Sequence, residues 1–201
     1  MSLVTHWDRQ YRCARPPWET GRPSTEVQRA VAAHPVRPCR AIELGCGTGQ
    51  NAAWLAEQGF DVLGVDVSPL AIQRARERPV REGARLRFLA ADLLDFWQLG
   101  GPYRFFLDHG CYHGLHPLDT DGYLRTLEQV LEPGALGLLL TGNADEPEEE
   151  FVGPPVLEER EIRTAFECLF DILALRPFRF DAAASGKRYL GWSCLLRRRD
   201  D

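Results

Sequence analysis

Residues 41–49, Ala-Ile-Glu-Leu-Gly-Cys-Gly-Thr-Gly, decide the fold of this chain. The stretch has the pattern of a short apolar strand, a loop with three alternating glycines and a helix that begins near Gln50. Twenty-one residues after Gly45, Asp66 ends a second apolar run. Glycine permits backbone angles and close ligand approach that a side chain would prevent, and an acid at the end of the second strand can hold both hydroxyls of a ribose. This layout predicts an open α/β nucleotide site.

The glycine spacing distinguishes between nucleotides. A dinucleotide fingerprint is G-x-G-x-x-G, whereas this loop is G-x-G-x-G with Gln50 where the third dinucleotide glycine would fall. A P-loop requires Gly-Lys-Ser/Thr, and the only lysine in the sequence is Lys187. Glu43, one residue before the loop begins, opposes a pyrophosphate but suits an ammonium or sulfonium charge. These features favour S-adenosyl-L-methionine as the cofactor; the alternative is a tight strand-to-helix turn with no ligand.

Length and charge limit the classes of protein that this sequence fits. The chain has 201 residues and a net charge of −5, which fits one domain with a sizeable core and predicts no nucleic-acid partner. Its six cysteines include no C-x-x-C pair. We find no signal peptide pattern and no run of the ~18 apolar residues that a membrane span needs. We therefore expect a cytoplasmic protein with reduced thiols and no membrane partner.

Strand and helix patterns alternate along the chain, which predicts a parallel sheet with helices on both faces. The predicted strands are Cys39–Leu44, Asp61–Val65, Leu86–Ala90, Tyr103–Leu107, Ala135–Thr141, Phe170–Phe180 and Arg188–Arg197. The predicted helices are Gln50–Gln58, Pro69–Arg78, Asp119–Leu131 and Glu158–Leu169. The last two strands have no helix between them and should pair antiparallel at one edge. We predict a single domain, with an N-terminal segment (1–37) before a core of residues 38–201.

The N-terminal segment is rich in aromatic side chains. Trp7 and Tyr11 have the i, i+4 spacing of one helix face, and Trp18 follows a pair of prolines. An aromatic face can hold a sulfonium by cation–π attraction, and a closed lid would exclude water from the methyl group. We therefore expect this segment to cover the ligand. The alternative is a short helix that packs on the core as an ordinary lid.

With these residues established, the chain resembles a class I S-adenosylmethionine-dependent methyltransferase. Within that class it is similar to the thiopurine, halide and thiol methyltransferases and their tellurite-resistance-like relatives. The resemblance rests on Trp7-Asp8-x-x-Tyr11, Pro17-Trp18-Glu19-x-Gly21, Glu43-Leu44-Gly45-Cys46-Gly47-Thr48-Gly49, Val65-Asp66-Val67-Ser68, Ala91-Asp92-Leu93, Asp108-x-Gly110-Cys111-Tyr112-His113-x-Leu115, Gly153-Pro154-Pro155 and Gly191-Trp192-x-Cys194-Leu195. It implies an α/β, Rossmann-like class I methyltransferase fold. The sheet would have seven strands, mostly parallel, with an antiparallel C-terminal hairpin at one edge.

The resemblance also implies a role for each matched residue. The expected cofactor-binding residues are Trp7, Tyr11, Trp18, Glu43, Gly45, Cys46, Gly47, Gly49, Asn51, Asp66, Val67, Ala91, Asp92, Leu93 and Asp108. Among them, the glycines would hold the methionine part, Asp66 the ribose, and Val67 and Asp92 the adenine. The expected catalytic residues are Asp108, directed at the sulfonium and acceptor, and His113, as a general base or acceptor-pocket residue. The alternatives are a turn acid for Asp108 and a structural imidazole for His113.

The methyl acceptor is left open by two departures from the thiopurine methyltransferase pattern. His109 replaces the Arg of the group's Asp-Arg-Gly, and the group's Arg after the proline that corresponds to Pro117 has no match near Thr120. The cluster His109, Cys111, His113 and His116 lacks the spacing of a zinc site, so we predict no metal. We expect a methyltransferase for a small molecule with an S, Se, N or O nucleophile, thiol or thiopurine-like acceptors being favoured. The alternatives are a protein methyltransferase and a non-catalytic cofactor-binding protein; a monomer and a homodimer both fit the pattern.

Overall fold

A seven-stranded sheet forms the centre of the computed structural model, which describes residues 3–13, 16, 18–34, 36–146, 156–182 and 186–200. The strands are β1 (Arg40–Leu44), β2 (Asp61–Asp66), β3 (Arg85–Ala90), β4 (Tyr103–His109), β5 (Leu131–Gly142), β6 (Phe170–Arg179) and β7 (Leu190–Arg198). The helices are α1 (Leu3–Cys13), α2 (Thr25–Ala33), α3 (Gln50–Glu57), α4 (Pro69–Arg76), α5 (Tyr112–Val130) and α6 (Glu159–Phe166), with a 3₁₀ turn at Phe96–Gln98. Among the described residues, no helix is both long enough and apolar enough to span a membrane.

The strand order in the sheet is β3-β2-β1-β4-β5-β7-β6. Strands β1 to β5 pair in parallel, with α3, α4 and α5 in the connections, whereas β7 runs antiparallel to both β5 and β6. This topology confirms the predicted Rossmann-like sheet with an antiparallel pair at one edge. Of the motif residues, Pro17 and residues 153–155 lie outside the part of the chain that the structure describes.

Helix α5 begins at Tyr112, seven residues before the predicted start at Asp119. The backbone bends at Asp119 (φ −160°, ψ 77°), two residues after Pro117, whose nitrogen cannot donate to a helical hydrogen bond. Asp119 Oδ1 then accepts from Gly122 N at 2.8 Å, and the helix starts again from there. The predicted boundary was therefore wrong for the helix as a whole and matches only its second half.

Strand β5 begins at Leu131, four residues before the predicted Ala135. Leu131 pairs with Tyr103 of β4, and the ladder shifts register beyond this pair. The intervening Pro133-Gly134 has the composition of a turn, so the sequence pattern placed the start of the strand after it. Pairing with β4 extends the strand through these residues in spite of their low strand propensity.

Apolar side chains cover both faces of the sheet. One buried cluster, which includes Ile42 and Phe106, packs against α5 and α6, and a second, which includes Ala41 and Phe105, packs against α2 and α3. Successive residues of a strand point to opposite faces, so neighbours in β1 and β4 divide between the clusters. Strands buried on both faces are typical of parallel sheets.

Hydrogen bonds fasten the N-terminal segment to the C-terminal part of the chain. Glu26 Oε1 of α2 accepts from Arg176 Nη2 at 2.5 Å and from Ser193 Oγ at 2.6 Å. The carboxylate of Asp181, beyond β6, accepts from N and Oγ1 of Thr25 at 2.7 and 2.8 Å. These contacts hold α2 at the edge of the sheet where the parallel strands end.

Candidate active site

A cavity of about 620 Å³ opens at the carboxyl ends of the parallel strands. Ligands in open α/β sheets bind at this edge, where the strand order reverses, here between β1 and β4. The predicted residues that line the cavity are Trp7, Tyr11, Trp18, Glu43, Gly45, Cys46, Gly47, Asn51, Asp66, Val67, Asp92, Leu93 and His113. The structure thus brings most of the predicted site together, but Gly49, Ala91 and Asp108 lie outside the lining.

The glycine loop serves two purposes. Gly47 has φ +54°, in the left-handed region, and a Cβ there would lie 2.8 Å from the Tyr11 hydroxyl, so only glycine leaves the loop open to the cavity. Gly49 has φ +75°, and a Cβ there would lie 2.5 Å from the ring of Phe88. Gly49 therefore allows α3 to begin close against the sheet, and its predicted contact with the cofactor stays a prediction.

Glu43 is a buried acid at the end of β1 that faces the cavity. Its Oε1 accepts from Asn51 Nδ2 at 3.0 Å, whereas Oε2 is buried and has no hydrogen-bond partner among the described residues. Burial raises the pKa of Glu43 to about 8. Buried polar atoms almost always have a partner, so the open oxygen indicates a cationic ligand group, and the ammonium of the methionine part of the cofactor fits it.

Asn51 lines the cavity and also contacts Glu43. Its amide donates to Glu43 and its Oδ1 accepts from Ser24 N at 2.8 Å. The side chain therefore orients the buried acid and ties it to the start of α2. The predicted contact of Asn51 with the cofactor stays a prediction beside this orienting role.

Asp66 lies at the end of β2 and joins two loops. Its Oδ2 accepts from Gly47 N at 2.9 Å, and its Oδ1 accepts from Ser68 N at 2.8 Å. Burial raises the pKa of Asp66, while each carboxylate oxygen keeps a second lone pair for another donor. The side chain is thus fixed in place at the cavity, as a ligand for two hydroxyl groups requires.

The predicted adenine contacts follow β2 and β3. Val67, Asp92 and Leu93 line the cavity, and Asp92 Oδ1 accepts from Leu94 N at 3.0 Å, which fixes the carboxylate of this turn. Ala91 lies behind them: its N–H donates to the carbonyl of Asp66 at 3.0 Å and so links the two strand ends.

The aromatic side chains of the N-terminal segment form one cluster of edge-on contacts that lines the cavity. Trp18 meets Trp7 edge-on at 5.7 Å and Tyr11 at 6.3 Å between ring centroids, and its Nε1 donates to the Tyr11 hydroxyl at 3.3 Å. Asp8 Oδ1 accepts from Ser68 Oγ at 2.5 Å and so fastens α1 to the start of α4. The described part of the N-terminal segment is therefore held at the cavity in this structure.

Glu19 contacts the glycine loop, and the sequence reasoning did not predict this contact. Its Oε2 accepts from Thr48 Oγ1 at 2.6 Å and from Gln50 Nε2 at 2.9 Å. The lid segment is thereby bonded to the glycine loop itself. The Pro17-Trp18-Glu19 motif carried the signal, but its partners are about thirty positions away and become visible only in the fold.

Asp108 occupies a different position from the predicted one. Its Oδ1 accepts from Cys111 N at 2.8 Å, and its Oδ2 accepts from Tyr112 N at 2.9 Å and from the Tyr123 hydroxyl at 2.6 Å. Burial raises the pKa of Asp108 to about 7 against these hydrogen bonds. Asp108 does not line the cavity, and its carboxylate holds the β4–α5 turn, so its contacts are those of a turn acid.

His113 faces the cavity from the first turn of α5. Its Nδ1 accepts from Gly142 N at 3.0 Å, and burial, followed by the nearby His109, lowers the pKa of His113 to about 4. The ring is therefore neutral at physiological pH. The lone pair that a general base would need at Nδ1 is already engaged.

The sequence reasoning also missed the wall on the side of β5 to β7. His109, Phe180, Lys187, Tyr189 and Leu190 line the cavity there. His109 and Phe180 meet edge-on at 5.5 Å between ring centroids. His109 ends the parallel strand β4, whereas the antiparallel pairing of β7 with β5 and β6 brings the other four positions to this edge, and no local motif marks those four. No group of three or more metal-ligating side chains occurs within the described ranges.

Comparison with known proteins gives the family. Residues 41–134 match the family model described as a methyltransferase domain. The 2-heptyl-1-hydroxyquinolin-4(1H)-one methyltransferase of Mycobacteroides abscessus is 27% identical over 86% of this chain and 76% of that protein. The thiopurine S-methyltransferase of Pseudomonas aeruginosa is 34% identical over 59% of this chain and 60% of that protein.

Solved structures share the fold. One, from work on the conversion of a disulfide bond into a thioacetal group during echinomycin biosynthesis, has a TM-score of 0.85 at 23% identity and covers 100% of this chain and 93% of its own. Another is the 1,6-didemethyltoxoflavin-N1-methyltransferase of Burkholderia thailandensis with 1,6-didemethyltoxoflavin and S-adenosylhomocysteine bound. Its TM-score is 0.73 at 24% identity, with 98% of this chain and 88% of that chain covered.

The fold, the family match and the relatives agree on one class of protein. The chain is a class I S-adenosylmethionine-dependent methyltransferase, and its cofactor is S-adenosylmethionine. Within that class, its relatives include a thiopurine methyltransferase, a member of the group that the sequence motifs predicted.

Proposed function

We propose that the protein methylates a small aromatic or heteroaromatic molecule whose sulfur, nitrogen or oxygen is already nucleophilic at neutral pH. The observation that carries this proposal is the part of the cavity beyond the cofactor-binding residues. The rings of Phe180 and Tyr189 line it together with the imidazoles of His109 and His113. A wall of rings suits a flat substrate, because aromatic groups pack well against one another.

The residues of the chain have a limited task in such a reaction. When bound, S-adenosylmethionine supplies a methyl group that its sulfonium has already activated. Glu43 would hold the ammonium and Asp66 the ribose hydroxyls, while the lid around Trp18 excludes water and keeps the acceptor aligned. A cavity of about 620 Å³ lies within the range of ordinary small-molecule sites.

Neither predicted catalytic residue is available as a general base. The oxygens of Asp108 accept three hydrogen bonds away from the cavity, and Nδ1 of His113 accepts from Gly142. An ordinary alcohol needs a base to become a nucleophile, whereas thiolates, acidic N-hydroxy groups and ring nitrogens do not. Two relatives act, by their names, on a hydroxyquinolinone and a thiopurine, which supports acceptors of this kind.

A transfer assay with S-adenosylmethionine labelled in its methyl group tests this proposal. The acceptors are thiophenol, 6-mercaptopurine and 1-hydroxyquinolin-4-one, with benzyl alcohol as the acceptor that needs a base. We expect label in at least one of the first three and none in benzyl alcohol. Label in protein bands of a lysate would instead support protein methylation. Tight binding of S-adenosylhomocysteine without any transfer would support a non-catalytic binding protein.

A further inference from the structure

The backbone of β5 holds the His113 imidazole in one tautomer. Gly142 N donates to Nδ1 at 3.0 Å, and a backbone N–H has no lone pair with which to accept a hydrogen bond in return. Nδ1 is therefore the accepting nitrogen. In a neutral imidazole the proton must then sit on Nε2.

The Nε2 side of the ring borders the cavity. His113 and Gly110 both line it, and a Cβ on Gly110 would lie 3.5 Å from Nε2. Gly110 has φ +87° and no side chain, which leaves this approach free. Within the described part of the chain, the hydrogen bond of His113 is the one through Nδ1. Nε2–H is thus a donor placed beside ligand space.

The surroundings of the ring keep it neutral. Burial and the nearby His109 lower the pKa of His113, and burial also lowers the pKa of His109. The charge of Asp181 opposes this lowering at His109, but both oxygens of Asp181 already accept hydrogen bonds from Thr25. A neutral donor adds no positive charge next to a sulfonium, whereas an imidazolium would repel it.

We propose that His113 determines acceptor specificity through this donor: Nε2–H bonds a ring nitrogen or ring carbonyl oxygen of the methyl acceptor. The site would then prefer acceptors that carry such a lone pair over analogues of the same shape that lack it. A buried donor left without a partner is the physical basis of the preference. This inference rests on the proposed function, since it concerns the acceptor part of the same cavity.

Two substitutions separate the donor from the contact with Gly142. In His113→Asn the amide oxygen can take the place of Nδ1 and accept from Gly142, but nothing replaces the Nε2 donor. In His113→Gln the longer amide can place its N–H₂ near the position of Nε2. His116→Asn is the matched control, because His116 lies on the same helix outside the cavity and contacts Tyr112 and Thr120.

The acceptor pair is 3-mercaptopyridine and thiophenol, which differ by one ring nitrogen and are both assayed as thiolates, so that the ring nitrogen keeps its lone pair. We expect the wild type and H116N to prefer 3-mercaptopyridine. H113N should lose on the order of tenfold in kcat/KM for 3-mercaptopyridine and little for thiophenol, and H113Q should recover part of the loss. Affinity for S-adenosylhomocysteine, measured by calorimetry, and the Tm should stay close to wild type in H113N.

Two measurements keep the outcomes distinct. Wild-type transfer with an unchanged preference in H113N overturns the role of His113 and leaves the proposed function standing. No transfer by the wild type to any acceptor overturns the proposed function. Independently of activity, ¹⁵N spectra of histidine-labelled protein should show the Nε2–H tautomer for the resonance that disappears in H113N; an Nδ1–H or doubly protonated ring at neutral pH overturns the inference.

Discussion

The two ends of the cavity are built from the chain in different ways. At the expected cofactor end, the residues come from one stretch of the chain and two adjacent strands: Glu43, the glycine loop and Asp66. At the acceptor end, His113 depends on Gly142, 29 positions later, and the wall is completed by residues after β6. The cofactor end is therefore a contiguous motif, whereas the acceptor end is a product of the sheet order. Relatives that share the first end are free to differ at the second.

The largest expected effect lies at the cofactor end, with Asp66→Ala. The substitution removes the expected ribose ligand and also the acceptors for Gly47 N and Ser68 N. We expect affinity for S-adenosylmethionine to fall about hundredfold, because hydrogen bonds to a charged group contribute about 1.5–3 kcal/mol. Calorimetry measures the loss. Asp95→Ala, an exposed acid outside the cavity, is the control, and equal affinities for the two variants would falsify this placement of the ribose.

Asp108→Asn tests whether the acceptor end depends on the β4–α5 turn. The amide cannot accept from all three donors at Cys111, Tyr112 and Tyr123, so we expect a loss of about 2–3 kcal/mol in the free energy of unfolding. Urea titration followed by fluorescence measures it. If Asp108 contacted the acceptor instead, the variant would keep its stability and lose kcat.

The same carboxyl gives a pH dependence whose sign follows from its pKa. Burial raises the pKa of Asp108 to about 7 in the folded protein, whereas an unfolded Asp has a pKa of about 3.9. Between these values the folded state binds more protons than the unfolded state. The contribution of this group to stability is therefore present at low pH and is lost as pH rises through about 7. Asp108→Asn should flatten that part of the stability profile.

Glu43 provides a smaller effect that is specific to the cofactor end. With a pKa of about 8, its carboxyl is mostly protonated at pH 7, and a bound ammonium would favour the ionised form. We expect binding of S-adenosylmethionine at pH 7 to release about one proton. Calorimetry in buffers of different ionisation enthalpy counts it.

Glu43→Gln is the matched variant, since the amide keeps an oxygen for Asn51 but has no proton to release. It should bind the cofactor about tenfold more weakly, without proton release. Proton release of the same size in both proteins would contradict the assignment of the ammonium to Glu43.

The smallest effect should come from the lid, which both ends share. Trp18→Ala removes the edge-on contacts with Trp7 and Tyr11, and such contacts contribute about 0.5–1.5 kcal/mol. From this free energy we expect affinity to fall about three- to fivefold, for S-adenosylhomocysteine and for the acceptor alike. Trp97→Ala is the control, because Trp97 is 82% exposed and lies outside the cavity. A loss confined to one ligand would assign Trp18 to one end only.

The order of the elements was predictable from the sequence because each parallel strand is a short apolar run between amphipathic segments. The two boundaries that failed share a cause. Both lie at a local break signal. The break after Pro117 is real, but a helical turn that starts at Tyr112 precedes it, whereas β5 continues through Pro133-Gly134 by pairing with β4. Local propensity is overridden where many partners are already in place.

A position in the cavity could be predicted from the sequence where the local motif alone determines which way the side chain faces. Glu43 and Asp66 are acids at strand ends beside a glycine loop, and both face the cavity. Asp108 has the same local setting, yet its partners include Tyr123, fifteen positions later, and the carboxylate turns to them. The role of His113 likewise depends on a remote backbone N–H. Sequence reasoning singled out Asp108 and His113 but could not supply the contacts that hold each side chain in place.

The bond between Glu26 and Ser193 joins positions 167 residues apart. It has a consequence for the order of assembly. Helix α2 of the N-terminal segment packs against β7 through this bond. During synthesis the glycine loop therefore precedes the strand that holds the N-terminal segment in place. Contacts between the two ends of a chain form late, because closing a long loop is slow. We therefore expect the cover over the cofactor to form late in folding, after β7 is in place.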